Sequence, residues 1–171
     1  MNFIVSTFRA ISLIIFLTAQ AFFAQDKINY VVLGNEFYDK KEFKKAIEHY
    51  SKAIQLNSKN DNAYYFRGSA KYSLGDLDGA LNDYSKVIEL KPKNFLAYDA
   101  RGTTKFNLGL YKQALEDFNK AIALDQNIAV TYRNRGNLYL RMGNKEFALS
   151  DFQKACDLGD EKGCNALKAI P

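Results

Sequence analysis

A chain of 171 residues is on the scale of one domain, and its 47% hydrophobic and 14% aromatic content is ample for a packed interior. It has no tryptophan, so tyrosine and phenylalanine carry the bulk. The formal net charge of +5 comes largely from scattered lysines. Even the densest run, Asp39-Lys40-Lys41-Glu42-Phe43-Lys44-Lys45, is interrupted by acids and reads as a solvated helix face, which argues against nucleic acid as a partner.

The first 24 residues stand apart from the rest. Residues 10–24, AISLIIFLTAQAFFA, are apolar except for Ser12, Thr18 and Gln20, and Arg9 is the single charge before Asp26. A weakly positive start followed by an apolar stretch reads as a secretory signal peptide over 1–24. Two cleavage points fit, one after Ala21 and one after Ala24. The apolar run is shorter than the ~20 residues of a membrane span, so membrane contact is expected only through an uncleaved signal segment. The predicted location is outside the cytoplasm, periplasmic or secreted.

From residue 27 the chain returns to the same residue types every 34 residues, in copies 27–60, 61–94, 95–128 and 129–162. Tyr30, Tyr64, Tyr98 and Tyr132 fall in register, as do Gly34, Gly68, Gly102 and Gly136. So do Ala46, Ala80, Ala114 and Ala148, the aromatic row Tyr50, Tyr84, Phe118 and Phe152, and Leu56, Leu90, Leu124 and Leu158. Apolar spacings of three and four within each copy predict two helices. The expected spans are 28–40, 43–56, 62–74, 77–90, 96–108, 111–124, 130–142 and 145–158. Gly75, Gly109 and Gly143 stand where each first helix must stop, in a left-handed turn open to glycine. Lys41 occupies that place in the first copy. If it is left-handed too, it is strained by about 1 kcal/mol.

A 34-residue period with small residues at the helix contact and aromatics between layers resembles the tetratricopeptide repeat. In the third copy the pattern reads Tyr98, Gly102, Phe106 (one place later than usual), Ala114, Phe118 and Ala121, while the closing proline occurs only as Pro92. The resemblance implies an all-α fold, a right-handed α-solenoid of four helix–turn–helix repeats. Two columns covary within the chain. Arg67, Arg101 and Arg135 accompany Asp83, Asp117 and Asp151, and the first copy replaces both types together, with Leu33 and His49. The two positions lie equally far from the hinge on opposite helices. This predicts structural ion pairs, either within each hairpin or between successive repeats.

After Leu158 the periodicity breaks, and residues 163–171 read as a truncated capping helix ended by Pro171. The stretch ACDLGDEKGCNAL resembles the helix-to-helix turn of cysteine-rich Sel1-like repeats. That resemblance implies a disulfide between Cys156 and Cys164; two packed thiols that never meet are the alternative.

Nothing in the chain assembles into catalytic chemistry. The single histidine, His49, falls at a hairpin-facing position, and with two distant cysteines it makes no zinc site of usual composition. No glycine-rich phosphate loop follows a strand. The prediction is no enzyme, no cofactor and no metal. The resemblance instead implies that a protein or peptide partner lies in a concave groove lined by the first helices. In the first copy it comprises Ile28, Val31, Asn35 and Tyr38, and in the second Asn62, Tyr65, Ser69 and Tyr72. The third adds Leu96, Asp99, Thr103 and Phe106, and the fourth Val130, Arg133, Asn137, Leu140 and Arg141, a basic end. The column Val31, Tyr65, Asp99 and Arg133 varies too much for internal packing alone. Of the family's five-residue clamp for a carboxylate tail only Asn35 matches, with Val31, Phe66, Leu96 and Ala100 at the other places. The expected function is an exported interaction module for a peptide or helix of a cell-envelope partner. The alternative is an auxiliary, substrate-presenting subunit of an envelope enzyme or transporter. Oligomeric state is left open.

Overall fold

The computed structural model of the protein describes residues 29–170. The predicted signal segment, Ile28 and Pro171 lie outside them. Among the described residues the regular elements are all helices: α1 Tyr30–Asp39, α2 Phe43–Leu56, α3 Asp61–Ser73, α4 Leu77–Leu90, α5 Phe95–Asn107, α6 Tyr111–Leu124, α7 Ala129–Arg141, α8 Lys145–Asp157 and α9 Glu161–Ala169. The helices from Val31 onward form one compact unit. None of them is long and apolar enough to cross a membrane.

Local chemistry sets the boundaries. The Asn60, Asp76 and Asn94 side chains accept from the backbone N–H three residues on, capping α3, α4 and α5. The hinges between paired helices turn at left-handed residues, with φ of 82° at Gly75, 75° at Gly109 and 79° at Gly143. Lys41 takes the same turn at φ 60° and is the one left-handed residue other than glycine among those described.

Each hairpin closes on a fully buried alanine, Ala46, Ala80, Ala114 or Ala148. Beside it a ring from the second helix packs flat onto the glycine of the first. A Cβ at Gly102 would lie 2.9 Å from a Phe118 ring carbon, and one at Gly136 2.7 Å from a Phe152 carbon. Contact at this range leaves no room for a methyl group. Each second helix also packs on the first helix of the next repeat, as where Ala46 and Tyr50 meet Ala70 and Phe66. The interior is therefore a row of small layers, one behind another.

The end of the array departs from expectation. The capping helix starts at Glu161, two residues earlier than residues 163–171 imply, so Cys164 lies inside it. Leu158-Gly159-Asp160 has the residue types of Leu74-Gly75-Asp76, and Gly159 turns at φ 89°. The turn is thus of the within-hairpin kind. α8 has 13 residues, like α3, α5 and α7, and packs both on α7 before it and on α9 after it.

Candidate partner-binding groove

The first helices of successive repeats meet side by side, and their contacts fall on a repeating set of positions. The Tyr38 hydroxyl lies 3.4 Å from the Ser73 hydroxyl, and one repeat on the Asn107 amide donates to the Tyr72 hydroxyl. Further along, the Asn134 amide donates to Asp99 at 3.3 Å and to Thr103 at 3.4 Å. From beneath, the Tyr50 hydroxyl donates to Asn35 at 2.8 Å and the Tyr84 hydroxyl to Ser69 at 3.2 Å. Phe118 and Phe152 replace those tyrosines in the later repeats, so Thr103 and Asn137 receive no hydroxyl from below.

Two recesses result. One of about 340 Å³ gathers Asn35, Tyr38, Tyr65 and Ser69 with Asp39, Tyr50 and Phe66. A smaller one of about 130 Å³ gathers Thr103, Phe106 and Asn137 with Asn107, Phe118 and Asn134. Asn62, Leu96, Val130, Leu140 and Arg141 are exposed. Val31 packs against the first core layer, so it is as much a core residue as a groove residue. Ile28 lies outside the described residues. The basic end expected of Arg133 and Arg141 is reduced to Arg141, because one Arg133 nitrogen donates to both carboxylate oxygens of Asp160 at 2.8 Å. Asp160 opens α9, and its carboxylate binds this arginine instead of capping the helix.

Burial shapes the ionisation of this face. It pushes the Tyr50 hydroxyl up to about 12, helped by Tyr38 and Asp39. It raises the Tyr65 hydroxyl, with Asp99 adding to the effect. It also lifts the Asp99 carboxyl above the usual carboxylate range, partly offset by the Asn134 amide and the Arg133 charge.

The covarying arginines and aspartates meet within hairpins. Arg67 holds Asp83, Arg101 holds Asp117 and Arg135 holds Asp151, each by two N–H donors at 2.7–2.9 Å. The third arginine nitrogen reaches the preceding repeat, donating to Ser51, Ser85 and Asn119 in turn. Of the two arrangements left open by the sequence, the ion pair is the one within the hairpin, and the link between repeats is a hydrogen bond to a neutral side chain. Sequence reasoning missed a third partner: Lys71 and Lys105 also bind Asp83 and Asp117 at 2.8 Å. The signal was a third covarying column, since the first copy has Phe37 there, stacked on His49 with centroids 5.0 Å apart. The fourth has Tyr139, whose ring lies under Arg135.

Cys156 and Cys164 form a disulfide with Cα atoms 4.6 Å apart, joining α8 to α9. At the same junction a Cβ on Gly163 would meet the Ala155 methyl at 2.7 Å. The cap is held by close approach, covalent bond and the Arg133 ion pair together.

Stacked helical hairpins whose first helices meet along one face define an α-solenoid interaction scaffold. Profiles described as the TPR repeat match residues 34–75, 68–109 and 102–143, and one described as the tetratricopeptide repeat matches 129–158. The chain belongs to the tetratricopeptide repeat family, and its fold is the right-handed α-solenoid of that family. A crystal structure of MamA is 25% identical over 79% of this chain and 79% of its own, with a TM-score of 0.72. The TPR domain of Arabidopsis OM64 is 31% identical over 66% of this chain and 93% of its own, TM-score 0.64. TTC0263, a thermophilic TPR protein of Thermus thermophilus 21% identical over 81% and 78%, shares the fold at TM-score 0.72. No curated protein matches the chain. Tetratricopeptide repeat proteins bind protein partners, and the chain is a protein–protein interaction module.

Proposed function

We propose that this module is exported and holds a peptide or helix of a cell-envelope partner along the face made by α1, α3, α5 and α7. The observation that carries the reading is the contrast between columns. The glycine and alanine columns at the helix contacts keep one residue type through four copies, whereas the groove positions Val31, Tyr65, Asp99 and Arg133 change at every step. A face free to vary around a fixed scaffold is where recognition resides. Export is supported by the apolar stretch at 10–24 and by a disulfide, which persists in oxidising compartments.

A photo-crosslinking residue at Tyr72, in the groove, and another at Lys120, on the second helix of its hairpin, test the binding face in the native organism. Discrete adducts from position 72 and none from position 120 are expected, and equal labelling from both overturns the groove. Thiol counting on denatured protein from its native compartment tests export. A disulfide-bonded chain has no free thiol, and two free thiols per chain would contradict an oxidising location.

A further inference from the structure

We propose that the recess between the first two repeats takes a cationic side chain, lysine or arginine, presented by the bound partner. The inference deepens the groove reading and rests on it.

The recess of about 340 Å³ is at the small end of ligand-sized pockets, with room for one long side chain. Its walls are the rings of Tyr38, Tyr50, Tyr65 and Phe66, with the Asp39 carboxylate among them. No lysine or arginine lines it, although the chain carries a formal net charge of +5. Asp99 stands one repeat further along the groove column, close enough to Tyr65 to act on its hydroxyl.

Among the described residues neither Asp39 nor Asp99 is in a salt bridge. The one arginine that acts on Asp99 is Arg133, and it is committed to Asp160 at 2.8 Å. The three brace aspartates, Asp83, Asp117 and Asp151, each hold a cation, whereas Asp39 and Asp99 do not. Electron-rich ring faces, hydroxyls and the Asp39 carboxylate present negative potential to this space, and Asp99 adds to it from outside the lining. A cation there gains ring contacts out of full solvent, where they are stronger than at an open surface, and attraction to the Asp39 carboxylate at the exposed end of α1. An anionic anchor would face the Asp39 carboxylate, with Asp99 nearby. A neutral apolar anchor would desolvate the Asp39 carboxylate without pairing it, which is costly. Arginine fits the flat ring walls best, since its guanidinium stacks on aromatic faces while donating to carboxylates.

The test uses N-acetyl-arginine methylamide as the probe and the citrulline analogue, its neutral isostere, as the control. Aromatic side-chain NMR of the purified protein is the readout. Saturable shifts at Tyr38, Tyr65 and Phe66 are expected with the arginine probe. Binding should be weaker by on the order of tenfold for the citrulline probe, and for the arginine probe with D39N/D99N. The single D39N variant changes an exposed helix end and should show an intermediate loss, which keeps the test valid if the double variant folds poorly. Equal binding of both probes, shifts centred away from the recess, or unchanged binding by D39N and D39N/D99N overturns the proposal. Those results leave the crosslinking test of the groove untouched. Failure of crosslinking at position 72 with arginine still bound would instead sink the groove reading alone.

Discussion

At the scale of single residues, two positions carry strain or charge that a neighbour in sequence space would relieve. Lys41 holds φ 60° where three other hinges have glycine. A left-handed side chain costs about 1–2 kcal/mol, and glycine gives back part of that through the greater freedom of its unfolded chain. Lys41→Gly should therefore stabilise the protein by roughly 0.5–1 kcal/mol in urea unfolding; a loss of stability would show that the lysine side chain has an unrecognised role. Asp99 is the second. Its folded carboxyl is raised by burial, so the folded state holds a proton that the unfolded state has already lost in the window just above the ordinary carboxylate range. Stability from this group is full below the unfolded value and falls as pH rises through the folded one. Asp99→Asn should thus stabilise the protein at pH 7, with an advantage that shrinks as pH is lowered through that window. A pH-independent difference would mean that the charge is not what burial penalises. A residue that costs stability at neutral pH is what a binding site leaves behind, and Asp99 lies in a column that varies from copy to copy.

At the scale of elements, the Arg–Asp braces differ in a way that predicts unequal losses. Asp83, Asp117 and Asp151 are only 3%, 4% and 5% exposed. Removing Arg101 leaves Asp117 with Lys105, whereas removing Arg135 leaves Asp151 without a cation, because Tyr139 stands in the lysine column. Arg101→Met should cost about 1–3 kcal/mol, and Arg135→Met should cost more, approaching the 3–5 kcal/mol of an uncompensated buried charge. Equal losses in matched urea titrations would refute that account. The hairpin pairing was legible because residue types at equal distances from the hinge changed together. The lysine column was not, since only two copies of four keep it. The start of α9 was misread for a related reason. The 34-residue period puts 158–160 at a between-repeat turn, while the residues themselves, Leu-Gly-Asp, are those of the within-hairpin turn at 74–76. Periodicity and local chemistry disagreed there, and local chemistry prevailed. Groove contacts lay further out of reach. Tyr38 with Ser73, Tyr72 with Asn107 and Asn134 with Asp99 are each 35 residues apart. Such pairs depend on how one repeat is rotated on the next, which no single copy encodes.

At the scale of the whole molecule, stability is a sum over hairpins and the seams between them. The seams α2–α3, α4–α5 and α6–α7 each combine an apolar layer with one backward-reaching guanidinium: Arg67 to Ser51, Arg101 to Ser85, Arg135 to Asn119. This gives cohesion a direction. A chain made from its N-terminal end has each receiving side chain in place before the arginine that seeks it arrives, and domains fold as units in that order. Shortening the array from its C-terminal side removes arginines and leaves only a serine or asparagine facing water, which costs little. Shortening it from the other side removes the acceptor that helps fix the arginine of the first remaining brace, as Ser51 does for Arg67. Removing α9 and the fourth repeat should therefore leave the rest with its cooperativity nearly intact, and removing the first repeat should not; urea transitions of equal steepness for the two truncations would show that the seams have no preferred direction. Growth of such an array by adding copies at its C-terminal side would leave the Arg67, Arg101 and Arg135 latches undisturbed and give up only the Arg133 contact to Asp160.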